Sequence, residues 1–210
     1  MYKLFFAISI YAVSVILYGC ELETNDPFLR REHAKRYTRD SLFKLHEQSP
    51  IHPNDRKNFL SLDYFKPKQE YVVTASYTEI SPAQSVYIQD TEGMEQEYFR
   101  VAKVSFELTG KPVTLSVFQN AAFINHPEKK DVLFLPFFDQ TNGKETYPGG
   151  RYLDVLYKSG MQQVELNFND AYNPYCAYSH DYKCPVPPAE NKIPFRVEAG
   201  EKIFEFSGIF

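Results

Sequence analysis

Arg151 follows directly on Pro148-Gly149-Gly150, inside a stretch that collects polar and aromatic side chains. Asp139, Thr141, Glu145, Thr146, Tyr147 and Tyr152 lie around it, and Asn173, Tyr178, Glu190 and Asn191 follow. A guanidinium is a planar, permanently charged fork shaped for carboxylate or phosphate. Tyrosine rings add flat walls with hydroxyl handles, a common lining for sites that hold polar molecules. These residues are the candidate ligand-binding set, and the expected ligand is small and polar or anionic. A second reading uses the same side chains. If Asp139, Glu145, Asp170 or Glu190 satisfies Arg151 internally, the cluster is an ion-pair network that pins long loops. A third reading makes two of the carboxylates, such as Asp139 and Glu145, the acid and base of a hydrolase. A structural envelope protein with no small ligand is the remaining alternative.

Local catalytic signatures are absent. There is no G-x-S-x-G elbow, no H-E-x-x-H, no P-loop and no dinucleotide fingerprint. His33, His46, His52, His126 and His180 are scattered along the chain. Asp139-Gln-Thr-Asn-Gly143 faintly echoes a calcium loop but lacks the acidic ligand count. No cofactor is expected. Cys176, His180 and Cys184 are spaced four apart, yet a structural zinc site needs a fourth ligand and none is adjacent. No metal is expected, and Cys176 and Cys184 are expected to form a disulfide in an oxidising compartment.

That compartment is read from the first twenty residues. Lys3 precedes an apolar stretch from Leu4 to Leu17, interrupted by Ser9 and Ser14. The stretch is shorter than the ~20 residues a bilayer-crossing helix needs, and it fits a secretory signal better. It ends Leu17-Tyr18-Gly19-Cys20, which looks like a lipobox. Residues 1–19 are then a lipoprotein signal peptide, and residues 20–25 a tether. Cys20 is the lipidation site, and its partner is the lipid bilayer. Several acyl chains at ~0.8 kcal/mol per buried methylene make a stable anchor. The expected location is the bacterial cell envelope.

The elements that must position the cluster follow from hydrophobic period. Asp26-Pro27 opens a helix, with Asp as cap and Pro at the first turn. It runs to about Gln48, with Phe28, Tyr37, Leu42, Phe43 and Leu45 as a loose apolar face. Arg30, Arg31, Lys35, Arg36 and Arg39 read as a solvated basic face. A second helical turn is expected from Pro53 to Leu60. After Glu70 the period becomes two. Strands are expected at 71–75, 85–89, 132–138, 151–157, 164–168, 193–197 and 202–206, and a hairpin at 101–119 turning at Thr109-Gly110. Eight or more short antiparallel strands with one or two N-terminal helices indicate an all-β sandwich or barrel. Residues 26–210 read as one domain.

Charge narrows the partners. Lys and Arg number 23 against 27 Asp and Glu, a formal net charge of −4, so nucleic acid is not expected. Protein partners are not legible in the sequence. Several runs are specific enough to carry a resemblance: GKETYPGGRYLD at 143–154, NFNDAYNPYCAY at 167–178, CPVPPAEN at 184–191 and AGEK at 199–202. With Arg39-Asp40, Ser49-Pro50, Arg56 and Leu62-Asp63-Tyr64-Phe65, they resemble the bacterial domain of unknown function 1684 family across 26–204. The resemblance implies an exported or lipid-anchored protein with a shared polar motif, and no established activity.

Overall fold

Alternation of side chains builds most of the molecule. In the computed structural model, which describes residues 25–205, β1 (Val72–Gln89), β2 (Glu95–Leu108) and β3 (Lys111–Asn120) form a meander. β4 (Val132–Phe137), β5 (Arg151–Leu156) and β6 (Gln163–Asn167) complete one antiparallel sheet in the order β5-β4-β3-β2-β1-β6. The sheet curls into a nearly closed barrel whose edge strands, β5 and β6, are not paired with each other. The expected hairpin at 101–119 is the β2–β3 pair, turning through Thr109 and Gly110, both at positive φ. Ala102, Val104, Phe106 and Leu108 of β2 and Val113, Leu115 and Val117 of β3 face the buried core.

Among the described residues the strands number six rather than eight or more. The segments expected at 71–75 and 85–89 are one long strand, β1, whose register with β2 shifts between Glu79 and Gln84. The segments expected at 193–197 and 202–206 form no strand among the described residues. Ile193, Val197 and Ala199 do belong to the barrel core, as their alternation implies. Their backbone is satisfied differently: Ile193 N–H donates to Phe138 O, and the carbonyls of Val197 and Ala199 accept from the Arg151 guanidinium. Apolar periodicity reports the buried side of a segment, not the identity of its hydrogen-bond partner.

Helix α1 (Pro27–Leu45) begins as expected, with the Asp26 side chain accepting from Phe28 N–H at 2.9 Å. Helix α2 (Pro53–Arg56) is a single turn. The face by which α1 docks differs from the expectation. Tyr37 and Leu45 are each 76% exposed, while Glu32 is 1% exposed and Phe43 is buried. Glu32, Arg36, Arg39 and Phe43 recur at helical spacing and form the inward side. The basic run is therefore split: Arg30, Arg31 and Lys35 are exposed as expected, while Arg36 and Arg39 turn inward. The barrel offers acceptors to the run: Glu201, Asp170 and the Phe65 carbonyl.

The expected lipobox, Cys20 and most of the expected tether lie outside the described residues. Among the described residues, no helix is long and apolar enough to cross a membrane.

Candidate functional site

Arg151 enters the barrel core because of the turn before it. Gly150 has φ +87°, and a Cβ there would lie 2.9 Å from Phe137 O and 2.6 Å from Pro187 Cγ. Only glycine fits so close an approach. The strand that follows turns Arg151 inward, where it is 0% exposed. Its Nη2 donates to Asp139 Oδ2 at 2.7 Å, to Val197 O at 2.9 Å and weakly to Thr141 Oγ1 at 3.5 Å. Its Nη1 donates to Ala199 O and to Glu201 O at 3.3 Å. Residues 197, 199 and 201 turn alternate carbonyls toward one guanidinium. One guanidinium thus replaces the donors of a neighbouring strand. Burial works to lower the Arg151 pKa, and the Asp139 carboxylate opposes it.

The rest of the candidate set is also engaged with the chain itself. Asp139 Oδ1 accepts from Thr141 N–H at 2.7 Å, and the Thr141 and Thr146 hydroxyls meet at 2.8 Å. Glu145 pairs with Arg196 and Glu190 with Arg100, each through both carboxylate oxygens or both guanidinium arms. Asn191 accepts from Ser116 N–H and donates to Ser116 O and Pro136 O, tying its loop to β3 and β4. The Tyr152 hydroxyl donates to Pro185 O. Asn173 N–H and the Tyr178 hydroxyl both donate to Glu201 Oε2, and Asn173 Nδ2 donates to Lys202 O. Asp139 and Glu145, weighed as an acid–base pair, each have a separate cationic partner.

Cys176 and Cys184, expected as a disulfide, are two free thiols in this structure. Cys176 N–H donates to Cys184 Sγ at 3.1 Å, and the Tyr147 hydroxyl lies 3.5 Å from Cys176 Sγ. Hydrogen bonding from Cys184 draws the Cys176 thiol down to about 7. The Cys184 thiol is pushed up by its contact with Cys176 and by burial. Among the described residues, no group of three or more His, Cys, Asp or Glu is placed to hold a metal ion.

A cleft of about 930 Å³ lies elsewhere, along the unpaired seam between β5 and β6 and against α1. None of the candidate residues lines it. Its charged wall is built by α1 with Lys35, Arg36 and Arg39, and by Tyr64, Asp154, Asp170, Tyr172 and Glu201. Arg39 anchors this wall. Its Nε donates to Glu201 Oε1, and its guanidinium carbon lies 4.9 Å from the Tyr172 ring centre and 5.0 Å from that of Phe43. Burial works to lower the Arg39 pKa, but Glu201, Tyr178 and Tyr64 together outweigh it and raise it. Arg36 stacks on Tyr64 at 4.4 Å and donates to Phe65 O.

Glu201 is 1% exposed and binds Arg39, Asn173 and Tyr178 at once. Gly200 positions it. Gly200 has φ +77°, and a Cβ there would fall 2.4 Å from Ala171 O. Deeper along the helix, Lys35 bridges Glu32 at 3.3 Å and Asp170 at 2.5 Å, and Asn167 Nδ2 donates to both carboxylates. Asp154 accepts from the Tyr172 hydroxyl at 2.8 Å, and burial raises its pKa above the ordinary carboxylate value.

Three polar atoms in this wall are shielded from solvent with no hydrogen-bond partner: Arg36 Nε, Arg39 Nη2 and Tyr64 Oη. Burial raises the Tyr64 pKa, so its hydroxyl keeps its proton and can donate. The signal that sequence reasoning passed over is the spacing of Glu32, Arg36, Arg39 and Phe43, four positions on one helical face.

The comparisons with known proteins bear on this fold and not on its ligand. A family model described as a protein of unknown function, DUF1684, matches residues 57–202. The chain is similar to an uncharacterized protein of Haloarcula marismortui solved by solution NMR, with 36% sequence identity and a TM-score of 0.64. That match covers 82% of this chain and 92% of the other. No curated protein matches.

Proposed function

The chain belongs to the DUF1684 family, whose function is unknown, and from the geometry of the seam cleft we propose a binding protein that holds a small anion there. The observation that carries the reading is the set of unpartnered atoms in the cleft wall. Guanidinium groups have donors and no acceptors. A buried donor without a partner costs ~1–3 kcal/mol. Arg36 and Arg39 therefore favour an acceptor-rich guest, and Tyr64 can add a third donor. The Arg151 cluster also leaves Arg151 Nε and Asn173 Oδ1 without partners, but both terminal nitrogens of Arg151 are spent on the chain itself and the seam cleft does not open on them, so it works as a scaffold that draws 197–201 and the Asp139 turn together.

Sulfate and phosphate are the probes. Isothermal titration should detect binding to the parent protein. Tyr64→Phe removes a hydroxyl that has no partner in the folded chain, so it should keep or slightly raise stability while weakening anion binding. Arg39→Lys keeps a charge beside Glu201 but removes the free Nη2, and it should weaken binding further. Parent protein that takes up neither anion at millimolar concentration would overturn the proposal.

The N-terminal reading supports a location for this activity. A lipid on Cys20 would tether the domain to the cell envelope by the segment that precedes α1. In that oxidising setting the adjacent thiols of Cys176 and Cys184 would close into a disulfide. Cys20→Ser should move the protein from the membrane fraction to the soluble one. Retention of the variant in the membrane would count against the anchor.

A further inference from the structure

The seam cleft does not end at its charged wall. A second cavity of about 410 Å³ shares Asp154, Tyr172 and Tyr175 with it. This cavity lies on the outer face of the sheet; half of its lining residues are aromatic rings, and Lys129 stands over the Phe123 ring at 4.3 Å. Tyr98 and Phe134 are stacked with centres 5.7 Å apart, and Phe134 meets Tyr152 edge-on at 4.6 Å. Phe123 forms its outer lip and is 36% exposed. Aromatic walls of this kind favour a flat apolar guest through area burial and edge or offset ring contacts.

Resting on the anion-binding reading above, we propose that the ligand is a small anion carrying a flat apolar ring, an aryl carboxylate or aryl phosphate. The anionic head would sit against Arg39 and Tyr64, and the ring would occupy the groove beside Phe134 and Phe123. Tyr172 stands at the junction. Its ring carries the Arg39 guanidinium, and its hydroxyl is held by Asp154, so it walls both halves in a fixed pose. A bare inorganic anion would satisfy the head site alone. A neutral aromatic would fill the groove and leave the guanidinium groups unpartnered. Only a molecule with both parts meets both demands.

The test compares 1-naphthyl phosphate with inorganic phosphate on the full chain, by titration calorimetry and by naphthyl fluorescence. The aryl probe should bind at least about tenfold more tightly, a gain that partial burial of its ring supplies. Phe123→Ser, at the exposed lip where folding is least at risk, should remove most of that advantage. Tyr64→Phe should weaken both probes. Equal affinities for the two probes would overturn the aryl ligand while leaving an anion site in place. Failure of both probes to bind would overturn the anion reading as well. Undiminished naphthyl phosphate binding by Phe123→Ser would remove the groove from the site.

Discussion

Replacing Arg151 by Ala tests the scaffold reading directly. The side chain is wholly buried against Asp139, itself buried, so the variant leaves a carboxylate without its cation. Breaking one side of a buried pair costs ~3–5 kcal/mol. The carbonyls of Val197, Ala199 and Glu201 also lose donors, at ~1–3 kcal/mol for each group left unsatisfied. These losses share one side chain and do not sum in full, so ~5 kcal/mol, the upper end of the pair's own range, is the central figure. For a chain of this size each kcal/mol moves Tm by roughly 2–4 °C, giving a fall of roughly 10–20 °C. Circular dichroism melting and urea unfolding measure it. Arg151→Lys keeps a charge but cannot span Asp139 and the carbonyl row together, so it should lie between the parent and Ala. It serves as the readout if the Ala variant fails to fold. Arg30→Ala, exposed on α1, should shift stability by less than ~0.5 kcal/mol. If Arg151→Ala melts no lower than Arg30→Ala, the interior network does not hold the fold as described.

Other consequences are equally open to measurement. Burial raises the Asp154 pKa, so as pH falls its negative charge disappears before that of ordinary surface carboxylates. Sulfate, which stays charged, should therefore bind more tightly as pH is lowered, and Asp154→Asn should flatten that dependence; an unchanged pH dependence in the variant would exclude Asp154 as the cause. Gly200→Ala should destabilise by more than ~2 kcal/mol, since it adds a clash with Ala171 O to an unfavourable positive φ, whereas Gly93→Ala meets nothing within 4 Å and should cost ~1 kcal/mol. In reduced protein near neutral pH, iodoacetamide should label Cys176 well before Cys184, because the first thiol is lowered to about 7 and partly exposed while the second is raised and buried; mass spectrometry of the digest would show the reverse order if the local geometry is wrong.

The barrel was largely legible because its strands bury one face. The 101–119 hairpin announces itself by strict alternation around a turn at Thr109-Gly110, and the structure forms it there. Residues 193–199 alternate just as clearly, yet form no strand, because a guanidinium supplies the donors that a neighbouring chain would have given. Side-chain pattern carries no record of such a substitution. Residue types around Arg151 correctly marked a polar cluster, and Asp139 was among its named partners. Whether that cluster was closed or open depended on burial, which types alone do not encode. The seam cleft was missed for a related reason. Its Arg36 and Arg39 sat in a basic run that resembles any solvated helix face, and their acceptors, Glu201 and the Phe65 carbonyl, lie far off in sequence.

A helix held by its charged side answers to a different variable from the barrel beneath it. The outer contact, Lys35 with Asp170, is partly exposed, and salt at ~1 M shortens the screening length to ~3 Å, about the span of such a pair. The inner contact, Arg39 with Glu201, is mostly shielded and weakens less. Rising electrolyte should thus loosen α1 from its outer end while the apolar barrel is unaffected or tightened. Amide exchange in α1 would accelerate with added NaCl as that of β2 and β3 stays constant. Entry to the seam then depends on the ionic strength of the surrounding medium, with no moving loop required.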